Sequence, residues 1–133
     1  MSLTADDKLA IHELITELYQ RIDAQDAAGF ASGFADDGVF RAPYGDFKGH
    51  AAVQKFMEEH IAAGQENGVR HFVTNLKVAP AGAEAVVQLY ILKLKVATGS
   101  SFVATADGTF RVKKTTKGWR IAEFALNTDG TKK

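Results

Sequence analysis

Apolar residues recur at helical spacing across residues 5–23, where Ile11, Leu14, Ile15, Leu18 and Ile22 form one stripe. Thr4 precedes the stripe and Asp7 follows three positions later, the spacing of a capping box. A shorter helix is expected over 27–34, with Asp26 as its cap and Phe30 and Phe34 on one face. A third is expected over 50–63, with Val53, Phe56, Met57 and Ile61 on one stripe and Gly64 ending it. Between the second and third, residues 39–47 read as a short strand, a Pro/Gly turn and a second short strand. Beyond residue 69 the period changes to two. Strands are expected over 69–79, 84–97, 101–114 and 118–127, separated by Pro80-Ala81-Gly82, Thr98-Gly99-Ser100 and Thr115-Thr116-Lys117-Gly118. Turns this short imply an antiparallel meander. The class is therefore α+β: three N-terminal helices packed on a curved, mostly antiparallel sheet. Residues 1–133 read as one domain, with 128–133 as a flexible tail.

The two faces of the strands carry different information. In 101–114, Phe102, Ala104, Ala106, Phe110 and Val112 oppose Thr105, Asp107, Thr109, Arg111 and Lys113, so one face meets the core and the other water. The run 84–97 is apolar on both faces. Val86, Leu92, Leu94 and Val96 are read as the inner set, with Gln88 and Tyr90 among them. Val87, Leu89 and Ile91 are then the outer set, and a second copy of the chain is the simplest cover for them, giving a homodimer through the outer sheet face.

Charge and composition narrow the function classes. Sixteen basic residues balance sixteen acidic ones, so there is no electrostatic footprint for nucleic acid. With no cysteine, disulfides, thiolate metal sites and cysteine nucleophiles are excluded. No run is long and apolar enough to span a membrane, and no secretory leader pattern opens the chain, so a cytoplasmic location is expected. The histidines His12, His50, His60 and His71 show no i, i+4 pairing, so no metal is expected. Acid–base chemistry without a cofactor is what remains.

Several short segments, taken in order, resemble the SnoaL-like branch of the nuclear-transport-factor-two-like superfamily. They are Tyr19-Gln20-Arg21-Ile22-Asp23, Phe34-Ala35-Asp36-Asp37-Gly38, Phe47-Lys48-Gly49, Arg70-His71-Phe72-Val73-Thr74-Asn75 and Gly118-Trp119-Arg120-Ile121. The resemblance implies a cone-shaped fold with an internal pocket for a small hydrophobic molecule. The superfamily includes dehydratases, ketosteroid isomerases and binding proteins, so the reaction must be argued from the site. Likeness to scytalone-dehydratase-type and bile-acid-dehydratase-type enzymes implies that Asp23 and His71 meet inside the pocket. One departure stands out. Such dehydratases carry a second histidine on the following strand, where this chain has Leu92-Lys93-Leu94-Lys95.

On this reading Asp23 orients His71, His71 moves a proton, and Tyr19 or Asn75 polarises a substrate oxygen. Tyr44 and Arg41 lie in the short hairpin near a pocket mouth, and Tyr90 is a candidate lining residue by parity. Phe34 and Phe56 serve as core or as apolar pocket wall. Glu123, sharing the parity of Trp119 and Ile121, is expected at the open end. The expected function is a lyase or isomerase acting on a small carbonyl-bearing ring compound. A non-catalytic binding protein and an interaction subunit fit the same residues.

Overall fold

The computed structural model describes residues 2–97 and 99–130. Helix α1 (Ala5–Asp23) begins in the capping box: the Asp7 N–H donates to Thr4 Oγ1 at 3.0 Å and the Thr4 N–H to Asp7 Oδ2 at 3.1 Å. Thr4→Ala is expected to lower the unfolding free energy by about 0.5–2 kcal/mol, read by urea titration, while Thr4→Ser retains it. Asp26 caps α2 (Ala27–Ser32) by accepting from the Gly29 N–H. Helix α3 (His50–Ala62) ends before Gly64, whose φ of +81° suits a left-handed C-terminal position.

Six strands follow the order β2-β1-β6-β5-β4-β3. They are β1 (Phe34–Ala42), β2 (Gly45–Lys48), β3 (Val69–Ala81), β4 (Glu84–Lys95), β5 (Ser101–Thr115) and β6 (Gly118–Thr128). Strands β3 to β6 form the antiparallel meander, and β1 joins β6 in parallel. The second helix is shorter than the sequence suggests because Phe34 already pairs with Ile121. Gly38 makes this junction feasible, since a Cβ there would stand 2.7 Å from the Ile121 carbonyl oxygen. At the C-terminal end Thr128 closes β6, and the Asp129 N–H donates to the Thr105 carbonyl at 2.9 Å. The rest of the expected tail, 131–133, and Thr98 of the expected turn lie outside the described residues.

The helices cover one face of this curved, unclosed sheet. Ile11, Ile15, Leu18 and Ile22 from α1, Val53 and Met57 from α3, and Phe110, Ile121 and Phe124 from the sheet share one core. Phe124 stacks between Phe40 (centroids 5.0 Å apart) and Phe110 (4.0 Å).

Two expectations about faces are corrected. Val87, Leu89 and Ile91 are core residues, not outer ones: all three are buried, and they pair across to Phe110, Gly108 and Ala106. Gln88 and Tyr90 therefore point outward, with Leu92 and Leu94 only partly buried beside them. The physical reason is that β4 is apolar on both sides, so hydrophobicity alone does not orient it. Its neighbour β5 does, through the buried row Ala106, Gly108, Phe110 and Val112; Phe102, expected with that row, is exposed instead, because a register shift pairs it with Leu94. Among the described residues no helix is long and apolar enough to cross a membrane.

Candidate active site

Asp23, the last residue of α1, meets His71 on β3. One carboxylate oxygen accepts from the imidazole Nδ1 at 2.6 Å, and the other accepts from the His71 backbone N–H at 3.1 Å. A carboxylate only accepts, so Nδ1 carries a proton, and in the neutral ring the lone pair is on Nε2. The imidazole is held on a third side by Tyr19, whose ring centroid lies 5.3 Å away. Tyr19 is buried, and its hydroxyl is held well above the usual tyrosine range by that burial and by the charges of Glu66 and Asp23. It remains a hydrogen-bond donor at any physiological pH.

Tyr19 and His71 line a cavity of about 190 Å³, and Asp23 stands behind His71 outside its wall. Its apolar wall includes Ile22, Phe30, Phe40, Ile91 and Phe124, and Tyr44 stands at its exposed side. A dry cavity of about 150 Å³ holds a benzene molecule, so this volume suits a single substituted ring.

Two charged residues in the wall were not singled out by sequence. Lys93 sits directly across from His71 in the β3–β4 pairing, facing inward with Ile91. Reversing the faces of β4 hides it, and the correct orientation reveals it. Glu66 lies in the connection between α3 and β3 and is only 4% exposed. Its Oε2 accepts from Lys93 Nζ at 3.1 Å and sits 2.7 Å from His60 Nε2. Its Oε1 lies 3.8 Å from His71 Nε2 and has no hydrogen-bond partner among the described residues. Burial pushes the Glu66 carboxyl upward, but the His60 hydrogen bond and the charge and hydrogen bond of Lys93 oppose it, and the group is held below the usual carboxylate range. Gly68 fixes the connection: its φ is +62°, and a Cβ there would stand 2.6 Å from the Ala97 Cβ. His60, which lines the cavity and contacts Glu66, thus belongs to the site.

The remaining candidates fall elsewhere. Asn75 adopts φ +58° at a bulge in β3, where Thr74 pairs with Tyr90 but the next pair is Lys77 with Gln88. The extra residue reverses the parity set by His71 and Val73, so Asn75 turns outward and hydrogen-bonds Thr74. Tyr90 is 60% exposed on the outer face. Phe34 is core packed on Phe30, and Phe56 packs against Tyr44 and His60 from behind the cavity wall. A second register shift, between Arg111 and Val112, turns Glu123 away from the cavity and onto Arg41, which also bonds Asp46. The Arg41 hydrogen bond holds the Glu123 carboxyl below its ordinary range. Among the described residues no group of three His, Asp or Glu side chains is arranged to hold a metal ion.

Helices over an unclosed curved sheet, with an aspartate-held histidine in the wall of a cavity between them, define a pocketed α+β domain. The chain belongs to the SnoaL-like domain family, whose model matches residues 3–125. A protein of unknown function with a cystatin-like fold from Nostoc punctiforme is 23% identical, with a TM-score of 0.88, over 98% of this chain and 97% of its own. An NTF2-like protein with a cystatin-like fold from Novosphingobium aromaticivorans is 21% identical, with a TM-score of 0.85, over 96% and 84%. ActVI-ORFA from Streptomyces coelicolor is 16% identical, with a TM-score of 0.84, over 95% and 97%. At these identities the likeness is one of fold. No curated protein matches the sequence.

Proposed function

We propose that the chain is a cofactor-independent lyase or isomerase acting on a small, hydrophobic, carbonyl-bearing ring compound. The observation that carries this reading is the Asp23–His71 pair, which fixes the ring through Nδ1 and places His71 in the wall of a largely apolar, ring-sized cavity. His71 Nε2 takes a proton from the carbon beside the carbonyl, and the electron pair moves to the carbonyl oxygen. The Tyr19 hydroxyl donates to that oxygen, while Asp23 stabilises the imidazolium. Return of the proton to a different carbon completes an isomerisation. Delivery to a departing hydroxyl releases water and completes an elimination.

The test does not require the product to be known. Cyclic ketones and enones are incubated with the protein in deuterium oxide, and exchange of the α-protons is followed by NMR. Exchange that depends on His71 supports the reading. Binding without exchange, or exchange unaltered in His71→Ala, leaves a non-catalytic binding protein.

We also propose that the chain pairs with a second copy through its outer sheet face. Phe72 is 44%, Tyr90 60% and Phe102 67% exposed there, and Phe72 lies opposite Leu92 in the β3–β4 pairing. Zero net charge removes one barrier to such pairing. Leu92→Glu is expected to give folded monomers, whereas a charge at the buried Leu89 is expected to unfold the chain. Light scattering that finds the wild type monomeric at micromolar concentration counts decisively against the pairing.

A further inference from the structure

The Glu66 carboxylate is divided in its contacts. Oε2 is engaged by both Lys93 and His60, while Oε1, in a residue that lines the cavity, is buried and has no hydrogen-bond partner among the described residues. A buried acceptor without a partner is costly, and more so when charged, so this atom marks a position that favours a donor. Lys93 and His60 contacts fix the carboxylate, so it does not turn Oε1 away. The separation of 3.8 Å between Oε1 and His71 Nε2 is too long for a direct hydrogen bond. A ligand in the cavity that parts these two groups can present an O–H to Glu66 and the adjoining carbon to His71.

The charge of the donor is also constrained. Lys93, 3.1 Å from Oε2, disfavours a cationic donor at Oε1. Glu66 itself, with Asp23 beyond His71, disfavours a carboxylate. We infer that Glu66 is a specificity-determining residue that accepts a hydrogen bond from a neutral hydroxyl on the bound ring, so that the chain prefers phenols, enols or ring alcohols over the matching ethers and carboxylates. The inference rests on the catalytic reading above for its choice of a ring ligand, but its test is one of binding and not of turnover.

The probes are 4-ethylphenol, 4-ethylanisole and 4-ethylbenzoate, titrated at pH 7 into the isotope-labelled protein and followed by NMR. The wild type is expected to bind the phenol about tenfold or more tighter than the anisole, the scale of one hydrogen bond to a charged acceptor, with the benzoate weakest. In Glu66→Gln the amide presents a donor to the ligand, and the preference for the phenol is expected to vanish or reverse. A wild type that binds the phenol no better than the anisole, or that binds neither, overturns the inference. So does a Glu66→Gln variant that keeps the full preference. If that variant does not fold, the Glu66 side-chain carboxyl carbon resonance of the wild type gives the same answer: it is expected to move with the phenol and not with the anisole, and equal movement overturns the proposal. Loss of α-proton exchange with the hydroxyl preference intact removes only the catalytic reading. Loss of the preference with His71-dependent exchange intact removes only this one.

Discussion

His71→Ala is expected to slow α-proton exchange, and turnover of any compound the wild type converts, by on the order of a hundredfold to ten-thousandfold, the usual scale for a positioned acid–base group. The fold should survive, because the imidazole lines a cavity and is not part of the aromatic stack. Asp23→Asn should lower the rate by less. An amide offers one acceptor where two bonds are now accepted, those from Nδ1 and from the backbone N–H of the same histidine. An amide whose oxygen keeps the backbone bond turns its NH₂ toward Nδ1 and moves the ring proton to Nε2, the wrong position for a base. Tyr19 still holds the ring, so part of the population retains the active tautomer. Equal rates in wild type and His71→Ala, with both proteins folded, would end this account of the site.

Phe124→Ala is expected to cost about 3–5 kcal/mol of stability, measured by urea unfolding. Phe124 is buried, stacked between Phe40 and Phe110, and meets Tyr19 edge-on at 6.5 Å. It also lines the cavity, so its removal merges a core void with the ligand space and leaves little for the neighbours to collapse upon. Phe124→Leu keeps most of the volume and should cost clearly less. A loss under about 1 kcal/mol for the alanine variant would mean that the stack contributes little to the core.

The helices were legible because a 3.6-residue stripe and a capping pair are local signals; α1 matches its expected span of 5–23. The Asp23–His71 pair was reached through resemblance, since nothing in the spacing of two residues 48 positions apart brings them together. What the sequence conceals are events that need a neighbour. Alternation assigns a face only until a bulge, and the bulges at Asn75 and ahead of Glu123 reverse it without any local mark stronger than a polar residue. The doubly apolar β4 needed β5 beside it to show which side is inner, and with that choice came Lys93. Glu66 stands in Gly64-Gln65-Glu66-Asn67-Gly68, a run that reads as a solvated loop. Only the approach of His60 and Lys93 converts it into a buried charge.

Strand β3 is the end of the sheet, and an uncovered strand end-row of N–H groups is a template for pairing with other chains. At His71 that row is closed, because Asp23 takes the backbone N–H as well as the imidazole. The carboxylate that orients the base therefore also shields part of a sheet edge from strand addition. If the proposed chemistry holds, it and the protection of this edge rest on one side chain, and loss of the base alone would not free that position to change.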